Sequence, residues 1–296
     1  MEIRSVRDGW RIALLLLPGV LILAVFTLYP IAKMFTMSFF DWKIGANQVS
    51  PFVGIKNYLD VFSDSFAHIA LANTLYYAFI TVPGQIVFGL LAAVMIHNIK
   101  RFSVTFRLLY YLPVITSWVV VALLFRNIFT NTGLLNYFLM DVLKIIDEPI
   151  RWLSARWPAM TATAMLGVWK GIGWNMVIFL AALQAVPIEQ YEASSIDGMG
   201  AVGQFFKITL PNIKGTMLFC LVMLSIGAFN TFTPIKVITD GNPAHQTEVA
   251  LTWLYYQTFS ATGKMGYAAA YSILMSIIIA VVAIVLFKFI RPEEGK

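Results

Sequence analysis

The sequence predicts an all-α polytopic membrane protein with six transmembrane helices. Composition is the first reason: of 296 residues, 59% are apolar and only 12% charged, with a mean hydropathy of +0.77. Soluble domains carry about 25% charged residues, so a surface this poor in charge calls for lipid as its solvent. The second reason is the length of the apolar runs. The third is the placement of the basic residues, which gather in short clusters between those runs.

A helix rises about 1.5 Å per residue and a bilayer core is about 30 Å thick, so a span needs about 20 mostly apolar residues. Six segments qualify, at about 11–32, 70–96, 108–129, 159–184, 213–235 and 266–289. The first follows Arg4, Arg7 and Arg11 and so imitates a secretion signal. No small-residue cleavage site comes after it, and a retained helix is expected. Lipid offers no partner to a free N–H or C=O, so each span must be helical. Pro18, Pro83 and Pro113 then predict kinks or local unwinding within the first three spans. Leu134 to Ile146 is amphipathic and too polar to span, and is expected to lie on the outer surface. Trp42, Trp152 and Trp157 stand in outer loops, where they suit the membrane–water boundary.

An even number of spans puts both termini on one side. The segments 1–11, 97–107, 185–214 and 288–296 hold Arg4, Arg7, Arg11, Lys100, Arg101, Arg107, Lys207, Lys214, Lys288, Arg291 and Lys296. Their basic density is roughly twice that of the opposite loops, which places them in the cytoplasm by the positive-inside rule.

Several functions find no support. The net charge of +6 reads as membrane orientation, not nucleic-acid binding. The single cysteine, Cys220, excludes an intrachain disulfide, and His68, His97 and His245 lack metal-ligand spacing, so structural histidines and no metal site are expected. Gly198-Met-Gly-Ala-Val-Gly203 matches the dinucleotide fingerprint by letter, yet no strand precedes it and no acidic residue lies about 20 positions on. Gln204 stands where a phosphate-binding loop needs lysine. No paired carboxylates or Ser–His arrangement supplies a catalytic set, so an embedded enzyme is disfavoured. An ion-coupled secondary transporter would place acidic residues within spans, whereas Asp and Glu fall in the loops.

The longest inner loop, Pro187 to Pro211, carries the most information. Pro187 suits a helix start, with Glu189 and Glu192 near the favourable amino-terminal end. Tyr191, Ser195 and Ile196 can share a face, and Gly198 stands where a left-handed cap would end that helix. A second short helix is expected from about Gly200, bringing Phe205 and Phe206 beside Ile208 and Leu210, with Pro211 starting the next span. The fourth and fifth spans are unusually polar. Lys170, Gly171, Trp174 and Asn175, with Gly227, Asn230 and Thr231, combine the aromatic, amide and hydroxyl groups that could line a solute path. Lys170 would be costly in lipid without water or a partner. Gly167 and Gly171 read equally as a small-residue helix contact.

The run Glu192-Ala-Ser-Ser-Ile-Asp-Gly198, followed by Phe205-Phe-Lys-Ile-Thr-Leu-Pro211, resembles the Glu-Ala-Ala loop of binding-protein-dependent ABC importer permeases. The sugar-transport branch, that of the maltose permease larger subunit, matches best. Phe52 to Tyr58, Asn73-Thr-Leu75, Phe106 to Pro113, Trp169 to Met176, Leu183 to Pro187 and Thr239 to Pro243 agree with it in order. Ser194 replaces the second alanine, and Asp240 to Pro243 replaces a more glycine-rich turn.

The resemblance implies a type I ABC importer permease fold over residues 1–296 as one transmembrane domain. It implies that 187–211 is a cytoplasmic coupling helix, with Glu192 and Ala193 on its docking face and Asp197 and Gly198 fixing its turn. It also places a shallow solute site on the fourth and fifth spans. The chain would form half of a path for a sugar, oligosaccharide or related solute, with a polyol or a glycerol phosphate derivative as alternatives. Its expected partners are a second, different permease, a cytoplasmic ATPase dimer that binds ATP and magnesium, and an external solute-binding protein. This chain would hold no cofactor of its own, and its setting would be a bacterial or archaeal inner membrane.

Overall fold

The computed structural model describes residues 9–43, 49–99, 101–260 and 263–290. Arg4, Arg7, Lys100, Arg291 and Lys296 of the charge argument lie outside them. The described residues are almost wholly helical. The long helices are α1 (Trp10–Met37), α3 (Ser65–Asn98), α7 (Arg156–Gln184), α9 (Ala201–Phe229) and α12 (Met265–Ile290). Between them stand α2 (Lys56–Ser63), α4 (Ser103–Ile115), α5 (Trp118–Ile128), α6 (Leu134–Tyr137), α8 (Ile188–Ile196), α10 (Thr233–Ile238) and α11 (Ala250–Phe259). Among the described residues five helices are long and apolar enough to cross a membrane, and six crossings result if the pair α4–α5 is one.

The third expected span, 108–129, is not a single rod. It divides into α4 and α5, which meet at 92°. Thr116 and Ser117 take extended conformations at the break, just beyond Pro113. The expected end of the fifth span at 235 also needs correction. Its helix stops at Phe229, and Phe232 (φ −138°) separates it from α10. Helix α3 runs on through Pro83, and α1 through Pro18.

The separate second helix expected in the inner loop is absent, because it continues into the fifth span. Pro211 should break that continuity, since its ring crowds the carbonyl four residues back. A π turn at Phe205–Thr209 removes the conflict: the Leu210 N–H bonds to the Phe205 carbonyl, five residues back. The first span solves the same problem in the same way. A π turn at Ala24–Leu28 precedes Pro30, and the Tyr29 N–H reaches the Ala24 carbonyl. One widened turn before each proline keeps both helices whole.

The chain forms two compact units, each with its own packing: residues 1–64 with 254–276, and 65–253 with 277–296. In the first, Asn57 fastens the turn after α1 by donating Nδ2 to the carbonyls of Ser38 (2.8 Å) and Phe40 (3.0 Å). Tyr267 donates its hydroxyl to Asp64 at 2.5 Å. In the second, α3, α7 and α9 build the core. Leu90, Ala93 and Ile96 meet Phe179, Leu183 and Ile213, and farther along Tyr77 and Val82 meet Met160, Ala164 and Ala228. Glycines set the closeness of α3 and α7. A Cβ at Gly89 would sit 2.6 Å from the Asn175 Cβ, and one at Gly84 would sit 2.8 Å from Val168. Small residues let helix backbones approach in lipid, where hydrophobic burial gives no drive for association.

Candidate functional site

Two cavities adjoin in the second unit, sharing Gln85, Trp118, Met223 and Leu224 as common wall. One, of about 310 Å³, is bounded by Tyr77, Thr81, Gly227, Asn230 and Thr231. The other, of about 280 Å³, is bounded by Gly167, Lys170, Gly171 and Trp174. They form one cleft whose walls come from α3, the start of α5, α7 and the end of α9. Tyr77, Thr81 and Gln85 recur at four-residue spacing and therefore line one face of α3. The end of α9 at Phe229 exposes Asn230, and Thr231 borders the same cavity as the Tyr77 hydroxyl.

Six of the seven residues expected to line a path border this cleft: Lys170, Gly171, Trp174, Gly227, Asn230 and Thr231. Asn175 does not. It is fully buried in the α3–α7 seam, where its Nδ2 donates to the Gly171 carbonyl (2.9 Å) and to Gln85 Oε1 (3.3 Å). Gly171 serves packing as well as the wall, since a Cβ there would overlap the Gln85 side chain. Lys170 is also a packing residue. It is 4% exposed, and its ammonium donates to the carbonyls of Pro113 (2.5 Å), Val114 (3.3 Å) and Thr116 (2.7 Å).

Sequence reasoning missed Tyr77, Thr81, Gln85 and Trp118. A stripe of hydroxyl and amide groups on one face of the second span was the available signal for the first three. Trp118 had none, because its position depends on the break.

The loop from Pro187 to Pro211 is the other candidate region. Helix α8 ends as expected at Gly198, whose φ of +77° is the left-handed conformation. The Gly198 N–H bonds to the Ser195 carbonyl and the Met199 N–H to the Ser194 carbonyl, the paired bonds of a Schellman cap. Glu192, Ala193, Asp197 and Gly198 are all exposed, and Ile196 is 88% exposed beside them. The opposite face is tied down. Gln204 Nε2 reaches the Tyr191 carbonyl (3.2 Å), Ser194 Oγ (3.0 Å) and Ser195 Oγ (2.9 Å). Tyr191 and Thr209 join hydroxyls at 2.9 Å, and Asn212 donates to Gln190 at 2.8 Å. Ser194, the departure from alanine, is buried in this network.

A cleft with an aromatic and amide lining beside a broken span, with one wall on the helix that carries a clamped and exposed loop, fits a transport subunit of the membrane. The chain belongs to the family of binding-protein-dependent transport system inner membrane components, whose model matches residues 85–292. The arabinooligosaccharides transport system permease protein AraP of Bacillus subtilis (strain 168) is 36% identical over 282 residues, covering 94% of this chain and 88% of that one. The lactose transport system permease protein LacF of Rhizobium radiobacter is 32% identical over 290 residues, covering 97% and 95%. A bacterial ABC transporter involved in the import of the acidic polysaccharide alginate matches with a TM-score of 0.83 at 22% identity, over 98% of this chain and 97% of that one. The six-span importer permease fold expected from the sequence is the fold found.

Proposed function

We propose that this permease forms half of the path by which an ATP-driven importer takes up a sugar, oligosaccharide or related polyhydroxyl solute. The observation that carries the reading is the join between loop and cleft. Helix α8 is hydrogen-bonded onto the base of α9, and α9 runs unbroken to Phe229 at the cleft. A subunit that grips α8 therefore moves a cleft wall directly. The substrate class rests on the cleft's aromatic and amide lining and on the sugars named for the two relatives.

In this reading Glu192 and Ala193 dock on a cytoplasmic ATPase dimer, which binds ATP and magnesium, and Asp197 with Gly198 holds the docking angle. Both termini are cytoplasmic, and the membrane is a bacterial or archaeal inner membrane. A second permease, a different chain, completes the path, and an external binding protein delivers solute. Gly171, Trp174, Gly227, Asn230 and Thr231 face the solute path, while Lys170 supports it through the broken span and Asn175 from the seam.

The test is uptake into proteoliposomes holding the assembled importer, with lactose, arabinotriose and glycerol 3-phosphate as probes. Uptake should require ATP and survive a protonophore, and Ser195→Cys should react with an impermeant thiol reagent only from the ATPase side. Labelling from the opposite side would overturn the docking role. Gly198→Val forces a β-branched residue into a left-handed conformation, at a cost of about 1–3 kcal/mol. It should leave the permease in the membrane while uptake falls by about tenfold or more.

A further inference from the structure

The break between α4 and α5 leaves carbonyls without helical partners, because the last turn of any helix has no N–H ahead of it. In lipid each orphan carbonyl is costly. Lys170 answers this from α7, more than fifty residues along the chain. An ammonium has three N–H donors, and the three carbonyls of Pro113, Val114 and Thr116 take them all. A cation also suits the negative end of α4. The same ammonium lies 4.9 Å from the centre of the Trp118 ring, the first residue of α5 and a wall of both cavities.

No other charged side chain lines either cavity among the described residues. What remains around the cleft is aromatic and neutral: Tyr77, Trp118 and Trp174 with Gln85, Asn230 and Thr231. Such a lining offers ring faces and mixed donors and acceptors, which match a polyhydroxyl solute. It offers no free ammonium or guanidinium for a phosphate or carboxylate.

We propose that Lys170 is a positioning residue that clamps the broken span and aims Trp118 at the cleft, and that this half of the path accordingly takes an uncharged solute. The inference rests on the transport reading above and selects a neutral sugar or polyol over a glycerol phosphate derivative.

The test measures the charge of the cleft directly, in the assembled importer in membranes. Asn230→Cys, in a Cys220→Ala chain, is treated with cationic trimethylammonium-ethyl and anionic sulfonato-ethyl methanethiosulfonate, and each rate is divided by that of a free thiol. The two normalised rates should agree within about threefold. An anionic reagent favoured by about tenfold or more would mean that Lys170 presents its charge to the solute, and would overturn the proposal. This arm needs no change at Lys170 and so survives misfolding of the second variant. In that second arm, Lys170→Gln should lower the maximal uptake of the carried probe by about tenfold with KM within about threefold. A rise in KM of about tenfold at an unchanged maximal rate would overturn the positioning role. Failure of the transport reading shows separately, as loss of ATP-dependent uptake in the unaltered chain.

Discussion

Gly171 and Gly227 border the same cleft, yet the structure gives them opposite duties. A Cβ at Gly171 would overlap Gln85, whereas one at Gly227 meets open space. Gly171→Ala must push α3 from α7 or displace Gln85, an overpacking cost of about 1–3 kcal/mol. The thermal unfolding midpoint of the detergent-solubilised complex should fall accordingly. Gly227→Ala should leave that midpoint unchanged to within about 0.5 kcal/mol, and Gly227→Trp should fill the cavity and stop uptake without unfolding the chain. The sequence marks Gly171, with Gly167 four residues before it, as a possible helix contact, but does not say which duty prevails or that Gly227 stands beside open space. Asn175 illustrates the same limit. An amide inside a span suggests a path residue, but the direction of its side chain is settled by Gln85, ninety positions away. Gly198 was legible because its cap is local: the bonds that demand a left-handed residue come from Ser194 and Ser195, within the same few residues.

Elements differ in legibility for the same reason. Long spans are written in apolar length alone, and four of the six expected ones match unbroken helices to within about five residues at either end. The third span fails that test because apolar length is blind to direction. Its bend at Thr116 and Ser117 is held by an ammonium on another helix. The π turns before Pro30 and Pro211 are hidden likewise, since a proline in a span does not say whether the helix kinks, runs on as at Pro83, or widens a turn. At this scale the critical join is Gln204, whose amide holds α8 to the turn that enters α9. Gln204→Leu keeps the volume and removes the two N–H donors that these three acceptors share, at about 0.5–1.5 kcal/mol for each bond lost. On the proposed function the ATPase should still co-purify, because the exposed face of α8 is untouched. The number of ATP molecules hydrolysed per solute carried should rise several-fold, as the docking helix swings without taking α9 along. An unchanged ratio would show that the join transmits nothing.

Across the molecule, the two candidate regions are connected by one object. Helix α9 is 29 residues long, hence about 44 Å from the exposed loop that carries α8 to the cleft, comparable with the full thickness of a bilayer. Its apolar contacts with α3 and α7 lie along its length, at Ile213, Cys220 and Ala228. A helix bound at both ends and packed between them transmits displacement as a rod only while its hydrogen-bond ladder is intact. Phe219, 51% exposed and outside both cavities, allows the ladder to be cut without touching the cleft or α8. Phe219→Pro removes one backbone bond and crowds the carbonyl of Gly215, at a cost of about 3 kcal/mol or more. Gly215 leaves open space beside it, so the strain relaxes as a kink in the middle of the rod. On the proposed function the expected outcome is a permease that inserts, binds the ATPase and supports ATP hydrolysis, yet carries no solute. Phe219→Ala, which loses the same ring and keeps the ladder, should transport normally. If both variants transport alike, force reaches the cleft by a route other than this helix, and docking and solute passage would have to be coupled through the partner permease.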